Sequence, residues 1–256
     1  MSTTRHAALL AQRALVQFTR NPILLGFSIM PVLMMFVVFG ALFEGVAELP
    51  GFPTENYFEY LAPTAVLLCT VPGIGNSAVA LASDFHSRYL YKLLTTPASL
   101  GAIVLGRLAG DGVRLGLQAG LVLLLAIGLG AHVETGIPGA LLMIVMGTLF
   151  GIVTFGVLTA NIALRTKDPA AVQAILPMAY LFIFLTSAYQ TTDHIDSGLL
   201  RRVIDLNPAE HVLRPMRELM LSGYDWGSIG IGFVVIVALG AIGVPITMRN
   251  YRGVYS

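Results

Sequence analysis

Long apolar runs separated by short polar segments set the rhythm of this chain. "ILLGFSIMPVLMMFVVFGALF" (Ile23–Phe43) contains no charge, and "LAPTAVLLCTVPGIGNSAVALAS" (Leu61–Ser83) repeats the pattern. Further runs have their bodies at Leu115–Ala131, Gly139–Leu164, Ala170–Gln190 and Ser228–Met248. A helix crossing the ~30 Å hydrocarbon core needs about 20 mostly apolar residues, at about 1.5 Å each. The pattern therefore predicts six transmembrane helices, over 23–43, 61–83, 107–131, 139–164, 170–190 and 228–248, in one all-α membrane domain spanning 1–256. The first run is too long for a signal-peptide core and five more follow it, so it reads as an uncleaved helix.

The polar segments carry structure of their own. Residues 3–20 mix Arg5, Arg13 and Arg20 with Leu9, Leu10, Leu15, Val16 and Phe18, a basic amphipathic helix suited to lie along an interface. It serves either as a topology anchor or as a contact surface for a partner. Asn21-Pro22 restarts the helix, with Asn as cap and Pro at the first position. In the segment 191–227, Asn207-Pro208-Ala209-Glu210 supplies an N-cap, a first-position Pro and a Glu placed to close a capping box. Val212, Leu213, Met216, Leu219 and Met220 then recur at helical spacing, and Pro215 predicts a kink or a division. The expectation is a short, bent amphipathic helix over 207–222, dipping into the outer leaflet.

Within the spans, Gly116/Gly120 and Gly147/Gly151 are spaced for close helix packing. Pro31, Pro72 and Pro177 kink their helices or line a cavity. Met30, Met34 and Met35 with Phe36 and Phe39 form either an adaptable surface for a greasy substrate or ordinary lipid-facing and packing positions.

Composition agrees with the pattern. Of 256 residues, 56% are hydrophobic and 11% charged, against about 45–50% and about 25% in soluble domains. The distribution of charge adds an orientation. Lys and Arg are retained on the cytoplasmic side. With the N-terminus inside, all basic residues fall on inner segments except Arg201, Arg202, Arg214 and Arg217, which share the segment 191–227. Of the acids, only Asp84, Asp111 and Asp168 lie inside. Both termini are expected in the cytoplasm. Cys69, the lone cysteine, excludes an intrachain disulfide and reads as an inert buried thiol.

Much chemistry is missing. The sequence has no Gly-Lys pair, hence no P-loop, and no G-x-S-x-G elbow. His6, His86, His132, His194 and His211 are scattered without metal-ligand spacing, so no metal is expected. Ionisable groups are nearly absent from the apolar spans, where an ion-coupled carrier usually needs them. The energy source is expected on another polypeptide.

The stretch "SDFHSRYLYKLLTTPASLGAIVLGRLAGDGVRLG" (83–116) breaks this poverty of charge. Phe85, Tyr89, Leu90, Leu93 and Leu94 share one helical face, bordered by Asp84, Arg88 and Lys92. Thr95-Thr96-Pro97 ends that helix, and Ser99 caps the next. Arg107, Asp111 and Arg114, at i, i+4 and i+3 spacing, can share one face as a neutralised cluster. The helix at 84–96 is either an interfacial element held by lipid or a docking element.

The stretch resembles the cytoplasmic loop of ABC-2 type permeases, the membrane subunits of bacterial ABC exporters. The family pattern is matched by Leu93, Thr96, Pro97, Ser99, Gly106, Arg107 and Asp111. "ALRTKDPAAVQAILPMAYLFIFLTSAYQ" (163–190) resembles the family's fourth loop and fifth span. "LNPAEHVLRPMRELMLSG" (206–223) resembles its outer signature through Asn207, Pro208 and Arg217. The likeness covers nearly the whole chain and is strongest to daunorubicin-resistance-type (DrrB-like) permeases. "QTTDHIDSGLL" departs from relatives that carry a proline soon after the fifth span.

The resemblance implies two permease copies, as a homodimer or heterodimer, on two cytoplasmic ABC ATPase subunits in a bacterial cell membrane. ATP and Mg would bind the partner subunits and no cofactor this chain; nucleic acid is not implied. The helix at 84–96 would be the coupling helix, with Asp84, Arg88, Tyr89, Lys92, Leu93, Thr96 and Pro97 at the ATPase. Arg107, Asp111 and Arg114 would fix it to the third span. The pathway would run mainly among the first, second and fifth spans, with Met34, Phe36, Gln173, Tyr180 and Phe184 facing an amphiphilic or hydrophobic cargo moved outward by alternating access. The alternatives are a non-transporting anchor or assembly subunit for an ATPase, and an ion-coupled secondary carrier.

Overall fold

The computed structural model describes residues 22–86, 100–189 and 197–255, and the basic stretch 3–20 lies outside them. Every regular element described is helical. Helix α1 is Pro22–Leu42; α2, Tyr57–Leu68, and α3, Thr70–His86, form one long span. Helix α4 is Leu100–Gly128; α5, Gly136–Gly151, passes through a π-helical turn at Ile152–Gly156 into α6, Val157–Thr166. Helices α7, Pro169–Phe184, α8, Gly198–Leu206, α9, Pro208–Leu221, and α10, Trp226–Tyr255, complete the order. Among the described residues, four spans are long and apolar enough to cross a membrane: Tyr57–Ser83, Leu108–Gly128, Gly136–Thr166 and Trp226–Asn250. Ile29–Leu42 and Pro169–Phe184 are shorter apolar helices.

Local chemistry explains the breaks. Pro72 has no amide to offer the Leu68 carbonyl, so the second span resets at Cys69 and restarts at Thr70. The Thr70 hydroxyl donates to the Leu67 carbonyl at 2.6 Å and satisfies part of the interrupted ladder. Between α6 and α7, Lys167 adopts a left-handed conformation (φ 54°). Asp168 then caps α7 by accepting from the Ala170 amide at 2.9 Å, with Pro169 at the first position.

The α2–α3 span is by far the most buried of the four and forms the centre of the bundle. Helix α5 leans on it closely. A Cβ on Gly147 would lie 2.8 Å from Val66, and one on Gly151 would lie 2.6 Å from Thr70. At Gly116 and Gly120 a Cβ would meet only Ile144, at 3.7 and 3.9 Å, so that pair does not require glycine for space.

The segment before the last span corrects the sequence expectation. It holds two helices rather than one, and α9 runs unbroken through Pro215. Helix α9 buries Ala209, Val212, Leu213, Met216, Leu219 and Met220 against α2, α5 and α10. Its apolar stripe is covered by protein. The loops here gather at one end, called the outer end after the charge bias: the His132 amide donates to Glu59 at 2.8 Å, and the Thr135 hydroxyl to the Leu219 carbonyl at 2.6 Å.

Candidate functional site

Two polar clusters sit in this apolar bundle, one towards each end. The outer cluster is built around the end of α7. That helix was expected to continue to 190, but it stops at Phe184 and a non-helical strap, 185–189, follows. Carbonyls freed at a helix end within a membrane must find other donors. Asn207 supplies them: its side-chain amide donates to the carbonyls of Phe182, at 2.8 Å, and Leu185, at 2.7 Å. Its side-chain oxygen accepts from the Ala209 amide at 2.9 Å, so one residue finishes α7 and starts α9.

Ser187 is the centre of the strap, and its polar atoms are fully engaged. Glu210 accepts from the Ser187 amide and from its hydroxyl, both at 2.7 Å. The expected capping box does not form, because the Glu210 carboxylate reaches across to α7's end. Arg217 donates to the Ser187 hydroxyl at 2.8 Å and to its carbonyl at 2.9 Å. Its guanidinium lies 3.9 Å over the Tyr60 ring, and the Tyr60 hydroxyl donates to the same carbonyl at 2.7 Å. Along α2, Thr64 donates to the Ala188 carbonyl at 3.1 Å and Tyr57 to that of Tyr189 at 2.7 Å. Hydrogen bonds to charged groups contribute about 1.5–3 kcal/mol each. The strap is therefore held on two sides, by α9 and by α2. Sequence had singled out Asn207, Pro208 and Arg217; it missed Glu210 as a cross-link and missed Ser187, Tyr57, Tyr60 and Thr64 entirely.

Aromatic rings surround this cluster. Phe39 of α1 lies 5.3 Å from Tyr189, which stacks on Phe184 at 5.5 Å, and Phe52 lies 4.9 Å from Tyr60. An aromatic layer at this level suits the edge of a bilayer.

The inner cluster lies between α3 and α4. The Ser77 hydroxyl on α3 donates to the Asp111 carboxylate on α4 at 2.8 Å. Both line a cavity of about 70 Å³ with Ile74, Leu81, Gly156, Thr159 and Thr247 among its walls. That volume is enough for a few waters. Arg114 follows one turn on and is partly buried. Asp84 and Arg107 fall on α3 and α4, while Arg88, Tyr89, Lys92, Leu93, Thr96 and Pro97 lie outside the described residues. Ser77–Asp111 thus ties together the two helices that enter and leave the segment 87–99.

The five residues expected to face a substrate differ in exposure. Met34 is 61% exposed on α1, and Phe184 is 38% exposed and Gln173 exposed on α7. Tyr180 is half-buried. Phe36 is 1% exposed and packs on Phe58 with ring centroids 5.4 Å apart, which removes it from any open face. Among the described residues, no group of His, Cys, Asp and Glu is placed to hold a metal.

Comparison with known proteins places these features in a wider set. The sequence model of the family described as ABC-2 type transporter matches residues 5–221. A daunorubicin resistance ABC transporter permease protein, DrrB1, of Streptomyces coeruleorubidus is 24% identical over 94% of this chain and 83% of its own length. A putative transport permease, ycf38, of Cyanophora paradoxa is 27% identical over 82% of this chain and 72% of its own.

Proposed function

The chain belongs to the ABC-2 type transporter family, and from that premise we propose that it exports an amphiphilic or hydrophobic compound by alternating access. As a member, it is a transport permease subunit of an ABC transporter, a membrane subunit whose ATP hydrolysis is done by a separate ATPase. The daunorubicin relative supports a drug-like or lipid-like cargo. The observation that supports the cargo class most directly is the character of the open helix faces. Met30, Met34 and Val38 on α1, and Met178, Leu181 and Phe184 on α7, present flexible apolar side chains, with Gln173 as a polar exception. Such a surface accommodates varied greasy molecules and offers little to a polysaccharide.

The path of force follows from the two clusters. Two ATPase subunits close on ATP beneath two permease copies and push on the helix at 84–96, through Arg88, Tyr89, Lys92 and Leu93. The push enters α3 and α4 together, because Ser77–Asp111 joins them; Arg107 and Arg114 support the same junction. The α2–α3 span carries it along the centre of the bundle to Tyr57, Tyr60 and Thr64, which hold the strap. Both termini lie in the cytoplasm of a bacterial cell in this reading, as the charge bias requires.

Inside-out membrane vesicles provide the test. Vesicles carrying the native transporter should accumulate a fluorescent amphiphile when ATP is added, and vesicles lacking this chain should not. Accumulation driven equally by an ion gradient without ATP would instead support a carrier, and none under either condition would leave the anchor role.

A further inference from the structure

A groove of about 490 Å³ runs along the outside of the bundle between the π turn with α6 and the helix α10. This is the size of an ordinary ligand cleft, about 300–1,000 Å³. Its walls are Val153, Val157, Leu158, Leu239, Ile242 and Ile246, and its inner end carries Asn161 and Arg165. The two helices approach closely along its floor: a Cβ on Gly243 would lie 2.7 Å from Val157. From Val153 to Arg165 the chain advances about 18 Å at ~1.5 Å per residue, a little more than half of the ~30 Å hydrocarbon core. The groove is thus one leaflet deep, apolar along its length, and basic at its mouth.

The polar groups at the mouth divide into one that is spent and one that is available. The Asn161 amide donates to the Val157 carbonyl and the Thr247 hydroxyl, and its oxygen accepts from Asn250. Arg165 is exposed in the last turn of α6 and has no acidic partner among the described residues. A guanidinium in that position is suited to bind a phosphate through paired N–H donors.

We propose that this groove is a binding site for one anionic phospholipid, with an acyl chain lying between α6 and α10 and its phosphate on Arg165. The lipid would be a resident of the transporter rather than its cargo, filling a seam that protein side chains leave open. The assignment rests on the chain spanning a membrane but on neither the direction of transport nor the coupling site.

Native mass spectrometry of the full chain, released from mild detergent with equal phosphatidylglycerol and phosphatidylethanolamine, tests it. The native protein should carry one tightly held lipid and prefer phosphatidylglycerol about fivefold, the equivalent of ~1 kcal/mol for one basic residue at an anionic surface. Arg165→Gln should abolish the preference and Arg165→Lys should retain part of it. Leu158→Trp, which fills the groove from its rim, should reduce both lipid adducts. Arg202→Gln, on α8 at the other end, should change nothing. The proposal is overturned if Arg165→Gln keeps the preference of the native protein, or if Leu158→Trp keeps the bound lipid.

Discussion

The two ends of the bundle differ in what surrounds their polar groups. At the outer end, seven side-chain hydrogen bonds from Tyr57, Tyr60, Thr64, Glu210 and Arg217 converge on Ser187, Ala188 and Tyr189. At the inner end the Ser77–Asp111 hydrogen bond crosses from α3 to α4 beside a cavity. A dense buried network specifies one geometry, because each member loses its partner if another moves. A junction that borders free volume has room to adjust. The contrast suits a subunit pushed at one end and required to hold its shape at the other.

Breaking the outer network should have the largest effect on stability. Glu210→Leu leaves the Ser187 amide and hydroxyl without their acceptor and Arg217 without a nearby carboxylate. The expected loss is about 3–5 kcal/mol, the range for a disrupted buried charged network, read as a lowered unfolding midpoint in detergent. Arg217→Lys should cost less, about 1–3 kcal/mol, since an ammonium cannot reproduce both the paired donation to Ser187 and the flat contact with Tyr60.

The glycine pairs sharpen the same comparison within the core. Gly151→Leu drives a side chain into Thr70 and should destabilise by about 1–3 kcal/mol, whereas Gly116→Ala has room and should be neutral or stabilising by up to about 1 kcal/mol. Equal effects at both sites would remove the claim that α5 rests on α2–α3 through missing side chains.

At the inner end the expected split is between stability and transport. Ser77→Ala removes the hydrogen bond to Asp111 beside a cavity, costing about 1 kcal/mol, yet should lower ATP-driven transport several-fold. Asp111→Asn keeps an acceptor for Ser77 and should be milder. A Ser77→Ala protein with native transport would show that the junction is structural only.

The smallest effect concerns the start of α10. Asp225 accepts from the Ser228 hydroxyl at 2.9 Å and from the amides of Gly227 and Ser228. These bonds, the hydroxyl's first, hold its carboxyl below the usual value of 3.8. A depressed folded value means that the cap's stabilisation is present above pH ~4 and is lost as pH falls through the folded value. Amide exchange at 226–229 should therefore accelerate only in strong acid, and Asp225→Asn should flatten that dependence.

The sequence was most informative where physics is local. Apolar run length and Asn207-Pro208 located helices and the start of α9, because caps and breakers act on neighbouring residues. The early end of α7 was illegible: the donors that replace its ladder come from Asn207, more than 20 residues on. Glu210 was read as a capping-box residue because its spacing allows that; its actual partner, Ser187, is distant in sequence. The amphipathic stripe of α9 identified which face is apolar but not that α2, α5 and α10 cover it. The π turn at Ile152–Gly156 has no breaker to announce it.

The proposed coupling site at the inner end is tested most directly by its ATPase partner. The transporter should be purified gently from its native membrane, as the native chain and with Arg88 and Lys92 both changed to Glu. A P-loop ATPase should co-elute at one-to-one stoichiometry with the native chain and be lost from the reversed-charge protein. Co-elution that survives the charge reversal, or none from either protein in several mild detergents, would contradict the coupling site.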